Sequence, residues 1–387
     1  MKKIYLLILI FILNVIAFSQ DNFDEYLHQI LKNNPELQSI QHRNKAVIYN
    51  SKNKLLPFDP ELEYKVKENN NYEVGITQKL KFPPYYFLQY KVHKLTRRQQ
   101  SLIQDIYVIK ILENAMLNIN DLIYLQNKID KQAERLNRAR RLNRFFKDKL
   151  EQGEISQFPL NKSKLHLLEH RSRLSGLNES KKEVLQNLKK LNGGKNLKTK
   201  IGIYQPMDSL SDFKKYKEKY FSRSPEIKLA RINSDLSTRN LKIAKLNWLP
   251  DISFGIHSDN MKNSNVHFGI SLPIWKNRNR VKKAQAELNY KKYSKINIFT
   301  EKAAQIKTLY SQFKNKKELY FDYKTTLKSD KTQLLLEESV KSGEISAINY
   351  FQEIEKLYKY QDRLLELRHA IANIQTKLKN YKLLEVK

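Results

Sequence analysis

The feature that most constrains the fold of this chain is an internal duplication. The string Gly-Glu-Ile-Ser begins at Gly153 and again at Gly343, 190 residues later, and each copy precedes a long amphipathic stretch. The same shift relates Phe23 to Phe213, and it relates leucines at heptad spacing after the two glycines. One offset that relates separate regions indicates a tandem duplication. We therefore predict that the chain consists of two copies of one structural unit.

The predicted units cover residues 20–200 and 201–387, and both have the same order of elements. A first helix, at about 23–56 and again at about 212–248, ends at a Leu-Pro pair, because the residue before a proline disfavours the helical conformation. Alternation of apolar and polar residues then predicts four strands, at about 61–67, 72–82, 251–257 and 265–272. The polar strings KENNN and HSDNMKNSN are predicted to be the turns between paired strands.

Long helices are predicted after the strands of each unit. Residues 85–152 and 274–342 contain neither proline nor glycine, and at ~1.5 Å per residue each stretch could reach ~100 Å. Gly153 and Gly343 would end these helices, since glycine is favoured just beyond a helix C-terminus. Another long amphipathic stretch follows each glycine. The repeated string is therefore predicted to be the tip of a helical hairpin, near residue 153 and near residue 343.

The first residues have the composition of a secretory signal peptide. A basic start, MKK, precedes an apolar run, and Ala17 and Ser19 satisfy the small-x-small rule for cleavage. We predict a signal peptide at 1–19; the alternative is an uncleaved anchor helix. Cysteine is absent, which excludes disulfides, thiolate chemistry and a lipidated cysteine.

The predicted strands each have one apolar side. Four strands are too few to close a membrane barrel, for which eight is the usual minimum, and lipid does not tolerate open sheet edges. Copies of the chain would therefore share one sheet, unless the strands belong to a soluble sheet. In the shared sheet the residues predicted to face lipid are Leu62, Tyr64, Val66, Val74, Ile76, Ile252, Phe254, Phe268 and Ile270.

The ordered set of elements resembles the TolC-like outer-membrane efflux proteins. The resemblance covers nearly the whole chain after the signal peptide. It rests on the Leu-Pro pairs, on GITQKLKFP and FGISLPIW in the second strand of each unit, and on the glycine tips. It implies a mainly α fold with transmembrane β, in which a duplicated helix–strand–strand–helical-hairpin unit forms a trimeric β-barrel joined to a long α-helical periplasmic barrel. Residues 193–222 would belong to an equatorial segment around the helices.

The resemblance also implies a function. The protein would be the outer-membrane channel of a tripartite efflux or type I export system, with its helical barrel in the periplasm of a Gram-negative-type envelope. It would act as a passive exit duct, not as an enzyme, and would need neither a cofactor nor a metal. The implied partners are two further copies of the chain, a periplasmic adaptor (membrane fusion) protein, an inner-membrane pump of the RND or ABC type, and outer-membrane lipid. The transported substrate stays open: drug, metal ion, anion or protein.

By position, the hairpin tips would dock the adaptor. The residues that the resemblance assigns to docking are Gly153, Glu154, Ile155, Ser156, Gly343, Glu344, Ile345 and Ser346. The alternative is that the two glycines serve only as helix caps.

The resemblance further implies a periplasmic constriction close to the tips. Channels of this family often carry acidic residues six and nine positions after the second tip glycine, whereas this chain has Asn349 and Gln352 there. The corresponding residues of the first unit are Pro159 and Lys162. A ring of carboxylates would attract cations, and amides would not. We therefore predict weak block of the channel by divalent or polyamine cations.

One motif favours an enzyme instead. The string HLLEH, from His166 to His170, matches the H-x-x-E-H signature of zinc peptidases, and two histidines four residues apart share a helix face. A third ligand would be needed, and the leucine heptad Leu160, Leu167 and Leu174 runs through the string. We therefore predict a packing role for this segment. No phosphate-binding loop, serine elbow or dinucleotide fingerprint is present in the sequence.

The formal net charge of +32 leaves two further alternatives. A basic nucleic-acid-binding protein would account for the charge, but the lysines alternate with glutamates along the whole chain and the strands lack a basic-aromatic stacking face. A secreted periplasmic coiled-coil scaffold would account for the helices and would be water-soluble after cleavage. The channel hypothesis instead predicts a detergent-dependent trimer without a nucleic-acid partner.

Overall fold

A computed structural model describes residues 23–68, 71–197, 202–207, 209–273, 277–328 and 331–386. The predicted signal peptide at 1–19 lies outside these residues. Among the helices that are described, none combines the length and the apolar character that a bilayer-crossing helix requires.

Helices make up most of the described chain, and their order repeats. The elements are α1 (23–33), α2 (Pro35–Asn53), β1 (Glu61–Val66), β2 (Tyr72–Leu80), α3 (Pro84–Glu151), α4 (Gln157–Leu191), α5 (Phe213–Arg223), α6 (Pro225–Leu246), β3 (Asp251–Asp259), β4 (Asn263–Ser271), α7 (Arg280–Lys328), α8 (Thr332–Ser342), α9 (Ala347–Leu378) and a final 3-10 helix (Asn380–Val386).

Two of the predicted continuous helices are wrong, and proline explains the break in both. The helix expected at about 23–56 is interrupted at Asn34, and the helix expected at about 212–248 is interrupted at Ser224. A proline follows each break, as Pro35 or Pro225, and starts the next helix. Proline has no N–H to donate to the preceding turn and is well suited to the first turn of a new helix. The signal was present in NPEL and SPEI but was interpreted as helix interior.

The helix expected to run unbroken to residue 342 also differs from the prediction. It is described as two helices, α7 and α8, with Lys331 as the non-helical N-cap residue of α8. No proline or glycine marks this point.

The chain divides into two compact units, each with segments from both predicted repeats. We call Met1–Pro35, Val108–Tyr216 and Gln305–Lys387 the tip unit, because it contains both glycine tips. We call Glu36–Tyr107 and Lys217–Ala304 the sheet unit, because it contains all four described strands.

The sheet unit holds one antiparallel sheet in the order β1-β2-β3-β4. β2 and β3 come from different repeats and pair over eight residues, from Glu73 opposite Asp259 to Leu80 opposite Ile252. The turn between β3 and β4 is shorter than the nine-residue string predicted for it. Asn260 and Met261 both have positive φ, and the N–H of Lys262 donates to the carbonyl of Asp259 at 2.8 Å. Asp259 pairs with Asn263, so the loop consists of the three residues 260–262.

Apolar side chains form the core of each unit. In the sheet unit, Leu102 of α3 packs with Ile232 and Leu236 of α6. In the tip unit, the tip core consists of Leu142, Phe146, Leu160, Val340, Tyr350, Phe351, Ile354, Leu357 and Tyr358. These residues come from α3, α4, α8 and α9, so the tip core joins the two helical hairpins just behind the glycines.

Candidate functional site: the sheet faces and the helical tips

One face of the sheet is apolar and exposed in the single chain. Directly paired residues of antiparallel strands share a face, and the pairs Leu62–Ile76, Phe254–Phe268 and Ile252–Ile270 all lie on this one. Seven of the nine residues predicted to face lipid are exposed large apolar side chains: Leu62, Tyr64, Val66, Ile76, Phe254, Phe268 and Ile270. The remaining two, Val74 and Ile252, are half-buried. So much contiguous exposed apolar surface is rare on a soluble monomer and marks an interaction surface.

The opposite face of the sheet carries charges and glycines. Lys81 Nζ lies 2.7 Å from Asp251, and Lys67 Nζ lies 2.6 Å from Asp259, so ion pairs join strands of the two repeats. Gly75 makes room for a bulky neighbour, because a Cβ built on it would overlap Nδ1 of His257. This face is therefore polar and closely packed, which suits contact with water.

Both outer strands leave an edge open within the described residues. β1 pairs with β2 alone, and β4 pairs with β3 alone. An open edge presents unpaired N–H and C=O groups and is a template for pairing with another chain. The sheet is thus incomplete in a single copy of the protein.

Both helical tips turn at a glycine with positive φ. Gly153 and Gly343 have φ of 76° and 83°, in the left-handed region that glycine adopts without strain. At the first tip, the N–H of Gly153 donates to Leu150 O at 3.0 Å and the N–H of Glu154 donates to Lys149 O at 2.9 Å, which is the Schellman pattern. A Cβ built on either glycine would meet no described atom within 4 Å. The glycines therefore serve the turn, and the space beside them is open.

The other predicted tip residues divide into inward and outward groups. Ile155 and Ile345 pack against the tip core and are half-buried. Glu154 pairs with Lys149, and Glu344 accepts a hydrogen bond from Ser339 Oγ at 2.9 Å; both glutamates are exposed. Ser346 caps α9 by accepting from the Asn349 N–H, whereas Ser156 stands at the N-cap of α4 without a side-chain cap bond. The exposed tip surface is thus polar, with apolar support behind it.

The structure brings together two of the four predicted constriction residues. Lys162 and Gln352 both line a cleft of about 460 Å³ between α4 and α9, which we call the α4–α9 cleft. Asn349 is exposed in the first turn of α9, and Pro159 is half-buried in the first turn of α4.

Sequence reasoning missed a buried cation beside the tip core. The side chain of Arg135 on α3 is only 3% exposed, and its Nη2 lies 3.0 Å from Asp362 on α9. The same guanidinium donates to Tyr358 O at 3.2 Å and lies 4.3 Å from the centre of the Tyr358 ring. A buried charge is tolerated only when it is paired in this way. The heptad pattern marks such a position as polar but gives no partner.

A similar anchor holds part of the predicted equatorial segment. Arg368 on α9 donates to Gln205 O at 2.7 Å and stacks on Tyr204 at 4.5 Å, and Gln375 donates to Pro206 O at 2.9 Å. Burial lowers the pKa of the Arg368 guanidinium and raises the pKa of the Tyr204 phenol. Residues 202–207 therefore lie along α9; residues 198–201 and 208 of the segment are outside the described chain.

The histidines of HLLEH lie in a polar cluster at the α4–α9 cleft. His170 is fully buried, and Gln132 Nε2 lies 2.8 Å from its Nδ1 and 2.9 Å from its carbonyl oxygen. Burial lowers the pKa of His170 to about 4. Burial acts against ionisation of the Glu355 carboxyl, but His166 and the Arg173 guanidinium outweigh it and lower its pKa to about 2. Near neutral pH the cluster therefore combines a neutral imidazole with a carboxylate.

Solved structures share this arrangement of helices and strands. The chain is similar to a membrane protein from Pseudomonas aeruginosa with a TM-score of 0.79 and 11% identity, over 93% of each chain. It is similar to the outer membrane protein VceC from Vibrio cholerae with a TM-score of 0.75 and 13% identity, over 95% of this chain and 96% of VceC. The protein has the fold of the TolC-like channels. The MtrE outer membrane channel of Neisseria gonorrhoeae, in its open state, also matches, with a TM-score of 0.74 and 11% identity over 94% of this chain and 88% of MtrE.

The predicted TolC-like resemblance is thus confirmed at the level of the fold. No protein-family model and no curated protein sequence matches the chain. The trimer, the closed barrel and the docking residues stay predictions, since the single chain carries a small open sheet.

Proposed function

We propose that the protein is an outer-membrane channel and the passive exit duct of a tripartite efflux or type I export system. Its strands would lie in the outer membrane and its helices in the periplasm. The observation that carries this proposal is an open four-stranded sheet with one exposed apolar face, in a chain whose fold matches outer-membrane channels.

Closure of the sheet requires further copies of the chain. In lipid every backbone N–H and C=O needs a partner within the protein, so the edges of β1 and β4 must be covered. Pairing β1 of one copy with β4 of the next covers both edges by a single repeated contact, which closes into a ring. Three copies of four strands give twelve, an even number within the range of bacterial barrels. Two or four copies would also give an even number of strands, so the number three rests on the resemblance to the TolC-like channels, and a homotrimer is the assembly that we propose.

The two sheet faces fix which side meets lipid. The apolar face, with Phe254, Phe268 and Ile270, would face the acyl chains, because exposed charge is costly there. The face with the Lys67–Asp259 and Lys81–Asp251 pairs would line a water-filled lumen. A soluble sheet would need another element to cover the apolar face, and the described residues supply none.

The hairpin tips are the surface that we propose for the adaptor. Beside Gly153 and Gly343 the structure has open space and a polar rim formed by Glu154 and Glu344. A partner can approach the backbone closely at such glycines, because no side chain intervenes. The adaptor would join the channel to an inner-membrane pump of the RND or ABC type, which supplies the energy.

The proposed gate lies close to the tips and differs in charge from an acidic one. Asn349 and Gln352 are amides, and Lys162 in the same cleft as Gln352 is a cation. Without a carboxylate ring, divalent and polyamine cations would have little to bind, so block should be weak. Opening would follow an outward shift of the inner helices at the tips, biased by the free energy of partner binding.

Cysteine cross-linking tests the proposed assembly without interference from other disulfides, because the chain has no native cysteine. Glu63→Cys in β1 is combined in turn with Asn265→Cys and His267→Cys in β4, all on the polar face. We expect oxidation of membranes to give covalent dimers and trimers and nothing larger. Each single variant is the control and should stay monomeric. Monomers from every double variant, or a ladder that continues beyond the trimer, would contradict a closed three-copy ring.

A further inference from the structure

Three possible metal-ligand atoms meet between α4 and α9 in the tip unit. His166 Nε2 and His170 Nε2 are 3.1 Å apart, and Glu355 Oε1 lies 3.3 Å from the first and 3.6 Å from the second. The histidines come from one helix at a spacing of four, and the carboxylate comes from another helix. A single ion between α4 and α9 would therefore contact all three atoms.

These separations match one face of a tetrahedral metal site. Zinc binds histidine nitrogen at about 2.0–2.1 Å and carboxylate oxygen at about 2.0–2.2 Å, so tetrahedral ligand atoms are about 3.3–3.5 Å apart. We propose that His166, His170 and Glu355 bind one divalent transition-metal ion of the Zn²⁺ type. The inference does not depend on the proposed channel function, since it rests on the tip unit of a single chain.

One oxygen of the Glu355 carboxylate is available to bind a metal ion. Oε1 of Glu355 is buried and faces the two imidazole Nε2 atoms at 3.3 and 3.6 Å without hydrogen-bond geometry to any described residue, whereas Oε2 accepts from Arg173 Nη1 at 3.2 Å. A buried oxygen without a hydrogen bond is costly, and an ion at this point would satisfy it. Arg173 holds the carboxylate by its other oxygen and so orients Oε1 toward the two imidazoles.

In the metal-bound form, the Nδ1 atoms of His166 and His170 would each carry a proton, and each would need a hydrogen-bond acceptor. With the metal on Nε2, Nδ1 of His170 carries a proton and needs an acceptor. Gln132 lies 2.8 Å away and can supply its amide oxygen after a rotation of the side chain that exchanges Nε2 and Oε1, and this rotation gives up its hydrogen bond to the His170 carbonyl oxygen. Gln132 is therefore a positioning residue. Nδ1 of His166 is buried without a hydrogen-bond partner in the described chain.

The fourth position of the tetrahedron would be open to solvent. His166 and Glu355 line the α4–α9 cleft, whose volume of about 460 Å³ admits an ion and a bound water. Glu169, the glutamate of H-x-x-E-H, also lines the α4–α9 cleft, but it pairs with Arg173 and is not one of the three ligands. The ion would join α4 to α9.

The test is a metal titration of the detergent-purified, chelator-treated full chain, isolated without a polyhistidine tag. We expect one Zn²⁺ per chain by calorimetry, and Co²⁺ should give the intense visible absorption of a tetrahedral ion. His166→Gln and Glu355→Gln should each weaken Zn²⁺ binding by at least about 10-fold, the scale on which even outer ligand partners act. Both variants are chosen because their side chains border the α4–α9 cleft.

The matched control is His42→Gln, which removes an exposed histidine of α2 in the sheet unit and should leave affinity and spectrum unchanged. Circular dichroism of each variant confirms that its helices are retained. Zn²⁺ affinity that is the same in His166→Gln, Glu355→Gln and the parent chain would overturn the proposal. So would an octahedral Co²⁺ spectrum, or no binding at micromolar Zn²⁺. A chain that binds Zn²⁺ as expected but conducts no ions would refute the channel and leave the metal site standing.

Discussion

Replacing Phe268 by lysine tests directly whether the apolar face of the sheet meets lipid. Phe268 is the sixth of nine residues in β4, so it lies near the middle of the strand. Its ring is 5.8 Å from that of Phe254 on β3, and 60% of its surface is exposed in the single chain. A lysine there would place a charge at the centre of the proposed lipid-facing surface.

The expected cost is large because the assembly repeats the substitution. A lysine on the lipid face near the bilayer midplane costs ~2–4 kcal/mol, and three copies in one trimer give roughly 6–12 kcal/mol. Stabilities of folded proteins are of the same order, about 5–15 kcal/mol. We therefore expect Phe268→Lys to prevent most of the protein from reaching a folded trimer in the membrane.

The neighbouring residue supplies the matched control. His267 pairs with Gly255 on the polar face, so His267→Lys places the same charge in the proposed lumen, one residue away. The assay is the yield of folded, protease-resistant trimer in outer-membrane fractions at equal expression. We expect a near-complete loss for Phe268→Lys and little change for His267→Lys. Equal yields for the two variants, or a loss for His267→Lys alone, would refute the assignment of the faces.

Three further outcomes follow from single residues. Burial lowers the pKa of His170 from 6.5 to about 4, so the unfolded chain takes up this proton at a higher pH than the folded chain does. The free energy of unfolding should therefore keep its full value above about pH 6.5 and fall by up to ~3 kcal/mol toward pH 4. Urea unfolding in detergent should lose this pH dependence in His170→Asn, and a pH dependence that persists would refute burial of His170 as the cause. Gly343→Ala should lower the free energy of unfolding by ~1–2 kcal/mol, because the residue has a left-handed φ. Gly343→Asn should keep the turn, since asparagine tolerates this φ, but its added side chain should reduce the amount of adaptor recovered in a pull-down. An unchanged pull-down would mean that the glycine only caps the helix. Gly75→Ala should displace the His257 ring and destabilise the sheet by ~1–3 kcal/mol, because the new methyl group would overlap the imidazole. The double variant Gly75→Ala with His257→Ala should recover the yield of trimer. No recovery would exclude the overlap with His257 as the cause.

The alternation of residues in the strands was the most informative part of the sequence. Strands near 61–67, 72–82, 251–257 and 265–272 were predicted, and the structure has Glu61–Val66, Tyr72–Leu80, Asp251–Asp259 and Asn263–Ser271. Period two survives into the structure because each face of a sheet meets a single environment. The turn predicted around Asn260 is too long. The polar residues on either side of it belong to the strands, because a strand with a water-facing side can contain polar residues.

The helix breaks show a different limit. Pro35 and Pro225 were visible, but the duplication made NPEL and SPEI look like equivalent pieces of one helix. The break before α8 carries no proline or glycine, so the strongest helix-breaking residues do not mark it.

The polar cluster between α4 and α9 could be predicted only in part. The spacing of His166 and His170 places both on one helix face, which the sequence shows directly. Glu355 is 189 residues beyond His166 and belongs to the other repeat, so no local motif connects them. We interpreted the leucine heptad through HLLEH as a sign of packing, and expected no metal there. The structure shows that a helix in a bundle can pack through its leucines and still turn two histidines toward a neighbouring helix.

The central claim, a passive channel, is tested most directly by planar-bilayer conductance of the detergent-purified mature protein. The reversal potential in a salt gradient then gives the ion selectivity. We predict a small, stable conductance from trimers, with anion or weak selectivity and little block by divalent cations, as amides at Asn349 and Gln352 imply. Strong cation selectivity would keep the channel but contradict the proposed gate. No conductance, from a protein that stays in solution without detergent, would contradict the channel itself.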